Sequence, residues 1–238
     1  MSKLYLIPTP IGNLEDITLR ALRILKEEID LVLAEDTRTT GNLLRHYGIS
    51  KKIQAHHLHN EHQTAVNYAD MIAGGLSVAY LSDAGSPGIS DPGFLLVRAC
   101  IEKGVIVESL PGPTAFVPAL VNSGLPCDKF LFEGFLPHKK GRQTRLAELS
   151  NYPFTIVFYE SPHRIGKSLT QMAEFFGADR RACVSRELTK LFEENRRGSL
   201  AELAKYYSCN STKGEIVVIV EGVSKRKPVD DLDRDEDD

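Results

Sequence analysis

Eight short apolar runs, near residues 3 to 8, 30 to 35, 76 to 81, 105 to 110, 129 to 133, 154 to 160, 181 to 185 and 215 to 221, alternate with helical patterns. That alternation constrains the fold more than any other feature. Strands separated by helices pack as mainly parallel sheets, because each crossover helix must bury its apolar stripe against the sheet it returns to. Leu19, Leu22 and Leu25 form one such stripe, and Ile165, Leu169, Met172 and Phe176 form a second at the i, i+4, i+7, i+11 spacing of a half-buried helix. Both read as core. The stretch Asn122 to Asp128, with Gly124 and Pro126 inside it, interrupts the pattern near the middle of the chain. The sequence therefore predicts an α/β protein of two domains, each a mainly parallel or mixed sheet flanked by helices. Residues 1–122 form the first, 123–128 a linker, 129–224 the second, and 225–238 a basic, then acidic, disordered tail.

Charge and cysteine usage narrow the class. The 238 residues carry a formal net charge of -3, but seven of the acids lie between Pro228 and Asp238 with a single Arg, so the rest of the chain is mildly basic. One Leu and one Val in that tail cannot offset its ordering entropy. No apolar run approaches a membrane span, and the first residues read as a strand rather than a signal peptide. Cys100, Cys127, Cys183 and Cys209 are widely spaced, which argues against zinc and against a disulfide scaffold and points to a cytoplasmic protein.

The most informative loop is Ser82 to Gly93, which follows an apolar strand and precedes an apolar helix. A strand-to-helix turn needs only a few residues, and twelve are used here. Excess length at a strand's C-terminal end is where open α/β sheets bind ligands. Asp91 and Pro92 read as the N-cap and first residue of the next helix, and Gly104 as its stop.

Several familiar chemistries are absent. Gly166-Lys167-Ser168 has the end of a phosphate-binding loop, but Ser161 stands where that motif needs Gly; Ser161 and Pro162 read instead as a helix start, with Lys167 a turn inside. No Gly-x-Gly-x-x-Gly follows a strand, and Ala84 to Gly88 has the wrong intervals for a hydrolase elbow. His56, His57, His59 and His62 crowd one segment without any metal-ligand spacing, so no metal is expected.

What remains is a set of segments at successive strand ends: Pro8-Thr9-Pro10-Ile11-Gly12-Asn13-Leu14, Ala34-Glu35-Asp36-Thr37-Arg38, Ser82 to Gly93, Pro111-Gly112-Pro113-Thr114-Ala115, and Phe158 to Arg164 with Tyr-Glu-Ser-Pro-His-Arg. In order and wording they resemble the tetrapyrrole methylase superfamily, and within it the branch that methylates the ribose 2′-hydroxyl of a cytidine in the decoding region of small-subunit (16S) ribosomal RNA. The resemblance runs from Leu4 to about Gly222. It implies a two-domain tetrapyrrole-methylase-like fold, S-adenosyl-L-methionine folded into a cleft between the domains, and a homodimer. Carried over residue by residue, the cofactor wall comprises Pro8, Ser82, Asp83, Ala84, Ser86, Pro87, Thr114 and Ala115, with Phe158, Tyr159, Leu188 and Glu215 from the second domain. Glycines and prolines suit such a wall, since they let backbone groups approach a ligand closely.

Methyl transfer to a ribose oxygen gains from in-line positioning and from a group that takes the hydroxyl proton. Glu35 and Asp36 are the candidate bases, with Arg38 beside them; Glu160 and His163 are rivals from the second domain. The plainer account of Glu35 and Asp36 is a helix N-terminus complementing its dipole. Lys139, Lys140, Arg142 and Arg145, in a Pro/Gly-bounded segment, are the candidate contacts to RNA phosphates. Two other readings stay open: methylation of a tetrapyrrole or a protein side chain on the same fold, and a non-catalytic RNA-binding protein, which leaves the long Gly/Pro loops without a purpose.

Overall fold

The protein is described here by a computed structural model covering residues 2–223; the acidic tail, and with it Lys225-Arg226-Lys227, lies outside the described residues. The chain divides into two compact units. The first comprises Met1–Pro118 with the returning segment Glu187–Glu193, the second Ala119–Arg186 and the residues from Glu194 onward. This division falls inside the helix Phe116–Ser123 rather than at residues 123–128.

The first unit is a parallel sheet in the order β3-β2-β4-β1-β5. Its strands are β1 (Lys3–Ile7), β2 (Leu31–Ala34), β3 (Lys52–Ala55), β4 (Val78–Leu81) and β5 (Ile106–Ser109). The helices α1 (Leu19–Glu27), α2 (Thr37–His46), α3 (Glu61–Ala73) and α4 (Phe94–Glu102) connect them, and α5 (Phe116–Ser123) follows β5. Strands β2 and β4 are buried throughout, as continuous apolar runs in a parallel sheet should be. Successive residues feed opposite faces: Leu31, Leu33, Val78 and Tyr80 join one core with Ile72 and Leu96, while Val32, Ala79 and Leu81 join the other with Ile24 and Leu25.

Two expected details are corrected here. Leu19 is 85% exposed, and the buried stripe of α1 is Ala21, Ile24 and Leu25. Thr18 caps the helix, and Leu19 then lies about 200° around the helix from Ala21, facing solvent. Helix α4 begins at Phe94, not at Pro92: its N-cap is Gly93, whose φ of 132° no L side chain adopts readily. Strand β3 escaped notice because Lys-Ile-Gln-Ala is a partly exposed edge with no apolar run.

The second unit is a mixed sheet in the order β6-β7-β10-β8-β9. Strands β6 (Phe130–Phe135) and β7 (Thr155–Glu160) run parallel. The pairings among β7, β8 (Arg181–Arg186), β9 (Glu194–Ser199) and β10 (Ile216–Val220) are antiparallel. Its helices are α6 (Arg142–Ser150), α7 (Ile165–Phe176) and α8 (Leu200–Cys209). All four residues of the stripe on α7 are buried, each contributing about 1.5–3 kcal/mol of apolar burial. The helix itself starts at Ile165, since Ser161 and Pro162 form a preceding turn closed by the Arg164 N–H on the Ser161 carbonyl. Strand β9, Glu-Asn-Arg-Arg-Gly-Ser, is a polar edge without apolar signal.

Candidate functional site

In the first unit the loops after β1, β2, β4 and β5 meet at the C-terminal edge of the sheet. The Thr9 and Gly85 backbones exchange two hydrogen bonds of 2.9 Å, so the β1 and β4 loops form a short antiparallel bridge. The Thr9 hydroxyl donates to the Ser82 carbonyl and the Ser82 hydroxyl to that of Gly85. The Ser86 hydroxyl reaches the Pro113 carbonyl after β5 at 3.1 Å. Gly112 permits that packing, since a Cβ there would sit 2.8 Å from Pro8 Cβ.

These bonds sort the expected cofactor residues. Pro8, Ser82 and Pro87 are buried and brace the loops. Asp83 and Ala84 are exposed, and Ser86, Thr114 and Ala115 are half-buried, so these five have surface to offer a ligand. Leu188 is buried in the segment that groups with the first unit rather than the second. There the Thr189 hydroxyl accepts from the Asn13 N–H on the β1 loop. In the second unit Phe158 is a core side chain, 1% exposed and stacked on Phe176, so it offers a ligand only its backbone. Tyr159, on the opposite face of β7, packs edge-on against Phe132 and Phe135, and Glu215 is exposed just before β10.

A carboxylate group gathers beside the β2 and β4 loops. The Asp36 N–H donates to Asp83 Oδ1 at 3.0 Å, and the Asp83 N–H faces Glu35 Oε2 at 3.5 Å. Burial, then the charge on Asp83, raises the Glu35 carboxyl above its ordinary value. Burial likewise raises Asp83, against the Asp36 N–H. Asp91 is pushed to about 7 by burial and by the charges of Glu35 and Asp83. Asp36 behaves differently. Its carboxylate accepts from the Arg38 backbone N–H as the N-cap of α2, and from the Arg38 guanidinium at 2.7 and 3.2 Å. That guanidinium, and then the backbone bond, hold it down at about 2. The helix-terminus account thus describes Asp36, while Glu35 is left as the more basic of the pair.

His56 belongs to the core. Its ring is fully buried, meets Thr64 Oγ1 at 2.9 Å, packs edge-on against Tyr68 and Tyr80, and is held neutral at about 4 by burial.

The basic segment of the second unit is not a uniform patch. Arg142 is buried, donating to Gln171 Oε1 at 2.8 Å, the Pro137 carbonyl at 3.2 Å and Ser168 Oγ at 2.7 Å. Ser168 in turn donates to Glu160, whose buried carboxylate also faces Arg142 at 3.7 Å and Arg164 at 2.9 Å. Glu160 is therefore a structural counter-ion rather than an available base. Arg145 is held by Glu133 and Glu148. Of the four expected RNA contacts only Lys139 and Lys140 are exposed; Arg142 and Arg145 have internal partners because α6 turns them toward α7 and β6.

Against known proteins, residues 3–204 match the family model described as Tetrapyrrole (Corrin/Porphyrin) Methylases. The chain belongs to the tetrapyrrole methylase family. Like the other members of that family it is a methyltransferase. Among curated relatives, the ribosomal RNA small subunit methyltransferase I of Vibrio cholerae is 51% identical over 222 residues, which is 92% of this chain and 77% of that protein. The enzyme of the same name from Pseudomonas aeruginosa is 48% identical over 222 residues, 92% of this chain and 78% of that one. Solved structures of tetrapyrrole methylases share the fold at low identity. The uroporphyrin-III-C-methyltransferase of Thermus thermophilus superposes with a TM-score of 0.64 at 21% identity, covering 93% of this chain and 94% of that one. A cobalt precorrin-4 methyltransferase does so at 0.68 and 18%, covering 92% and 94%.

Sequence reasoning missed Asp91 as a member of the carboxylate group, assigning it to a helix cap. The signal was present in Ser90-Asp91-Pro92-Gly93: a Gly directly before the apolar helix can serve as the N-cap itself and leave the Asp to the loop.

Proposed function

We propose that this tetrapyrrole methylase transfers a methyl group from S-adenosyl-L-methionine to the ribose 2′-hydroxyl of a cytidine in small-subunit (16S) ribosomal RNA. The observation that carries this reading is the extent of likeness to enzymes named for small-subunit ribosomal RNA, about half of all positions over nine-tenths of the chain. The strand-end loops of the first unit suit the cofactor. Gly85 and Gly88, at φ 83° and 82°, keep the β4 loop in a left-handed path. Burial raises the carboxyls of Glu35, Asp83 and Asp91, the charge of Asp83 adds to this at Glu35 and those of Glu35 and Asp83 at Asp91, and a cationic ligand would relieve that repulsion. When bound, S-adenosyl-L-methionine supplies an electrophilic methyl on a sulfonium.

In this reading Asp83, Ala84, Ser86, Thr114 and Ala115 touch the cofactor, with Pro8, Ser82 and Pro87 holding the loops behind them. Leu188, the Phe158 backbone, Tyr159 and Glu215 complete the set. Glu35 accepts the hydroxyl proton as the new O–C bond forms, since a raised carboxyl is the better base near neutral pH. Asp36 and Arg38 fix the start of α2 beneath it, and Lys139 and Lys140 contact RNA phosphates. The protein works in the cytoplasm as a homodimer, which sedimentation velocity checks. Labelled cofactor, undermodified small subunits and naked RNA decide the main reading: nucleoside analysis is expected to find 2′-O-methylcytidine, lost in Glu35→Gln even at saturating cofactor. Label on a base, or on a tetrapyrrole but not on RNA, would overturn it.

A further inference from the structure

A cavity of about 440 Å³ lies in the second unit between the starts of α6 and α7. His138, Lys139, Arg142, Arg164 and Lys167 line it, the rest of the lining is polar or glycine, and none of it is acidic. The four permanent cations stand over one carboxylate, Glu160, which pairs with the two arginines. Two of these cations are fixed in place. Arg142 is tied by three hydrogen bonds to Gln171, Pro137 and Ser168. Arg164 is held between Glu160 at 2.9 Å and the His138 ring at 2.7 Å. Lys139 and Lys167 are exposed at the rim.

The backbone adds to this charge. Both helices begin without a side-chain cap hydrogen bond and without an acid in the first turn: α6 behind Gly141, at φ 83°, and α7 behind Arg164. Helix starts usually recruit Ser, Thr, Asp or Asn to satisfy the first N–H groups, and an acid to meet the dipole. Here two neighbouring starts do neither and open on the same cavity. Positive side chains with pre-set guanidinium groups, beside two uncapped helix N-termini, fit a tetrahedral dianion or a phosphodiester.

The geometry points to a phosphate subsite: this cavity takes a backbone phosphate of the RNA substrate, with Lys139 and Lys167 as mobile contacts over a floor fixed by Arg142 and Arg164. The identity of the ligand as RNA rests on the function proposed above, whereas the phosphate chemistry rests on the cavity alone. The site differs from a linear clamp of residues 139 to 145, because it recruits His138, Arg164 and Lys167 and leaves Arg145 to Glu133 and Glu148.

The test compares wild type with Lys139→Gln/Lys167→Gln, and with a control pair of equal charge change, Lys26→Gln/Lys205→Gln, whose residues are exposed elsewhere. RNA affinity is measured across a salt series. The site pair is expected to weaken binding about tenfold at low salt, and to flatten the salt slope by up to about 1.4 for two lost contacts on single-stranded RNA, with cofactor affinity unchanged. Unchanged slope and affinity, or an equal loss in the control pair, overturns the subsite. A second arm titrates inorganic phosphate while following the His138 ring resonances, with and without the site pair. Saturable shifts in wild type, lost in the variant, support the cavity even where no RNA methylation is found, so failure of the RNA reading and failure of the site are told apart. No phosphate-dependent shift in wild type counts against the site whatever the RNA result.

Discussion

Replacing Arg142 by Met tests whether that residue is a structural cation rather than a free phosphate contact. The substitution removes hydrogen bonds to Gln171, Pro137 and Ser168 and the 3.7 Å pairing with Glu160, at a residue only 8% exposed. Breaking a buried charge pair by deleting one partner costs about 3–5 kcal/mol. Glu160 would keep Arg164, the Ser168 hydroxyl and the Ser161 N–H, so its carboxylate is not stranded. The loss should therefore fall at the lower end, about 3 kcal/mol, or a Tm drop of roughly 6–12 °C at 2–4 °C per kcal/mol for a chain of this size. Arg145→Met is the internal comparison: its pairs with Glu133 and Glu148 are closer to solvent, and about 1 kcal/mol or less is expected. Thermal and urea unfolding followed by circular dichroism measure both. Arg142→Lys should not rescue, because an ammonium cannot span three acceptors as the planar fork does. A loss in Arg142→Met no larger than in Arg145→Met would refute the buried network.

Three further outcomes follow from the first unit. Gly93→Ala should destabilise by roughly 2–4 kcal/mol, because φ is 132° and the new Cβ would lie 2.8 Å from Tyr80 Cε1; unfolding at the wild-type midpoint would count against this packing. Asp91, raised to about 7, binds its proton in the native state between about pH 4 and 7 while the unfolded chain has released it, so native stability declines as pH rises through that window. Asp91→Asn should flatten that decline by about 1–2 kcal/mol, after screening of a partly exposed group is allowed for, and parallel stability curves from pH 4 to 8 would exclude it. Thr114→Trp, half-buried at the β5 loop, should abolish cofactor binding by calorimetry without lowering Tm; retained affinity in a folded variant removes Thr114 from the site.

The fold was legible where burial is symmetric and patterns are long. The α7 stripe reads directly because its four residues face one core, and β2 and β4 read because both their faces are covered. Edges were illegible: β3 and β9 are held by backbone pairing to β2 and β8, which leaves no apolar trace in Lys-Ile-Gln-Ala or Glu-Asn-Arg-Arg-Gly-Ser. Helix starts erred in one direction. A Pro two or three residues early, Pro92 or Pro162, marks a turn as readily as a first helical residue, and tertiary contacts chose the turn. Within the site, the loops were found by their length and glycine content, but the partners of each charge were not. Arg142 and Lys139 are both basic and three residues apart, and only the packing of α6 on α7 makes one buried and the other exposed.

The two charge clusters also bear on how this methyltransferase would keep two ligands apart. Glu35, Asp83 and Asp91 concentrate negative potential at the strand ends of the first unit, so a phosphate entering there meets repulsion, whereas a sulfonium or ammonium is welcomed. The cavity of the second unit reverses that preference, with four permanent cations over one carboxylate. If the two proposed sites hold these ligands, each would select its own partly by rejecting the other, which needs no additional shape complementarity. The crowded carboxylates also cost native stability when they ionise, and the same burial that pushes Asp91 up raises Glu35, the carboxyl proposed to take the hydroxyl proton. That cost is therefore intelligible as a functional one: neutralising Asp91 should stabilise the fold above neutral pH while removing part of the field that favours the cationic cofactor.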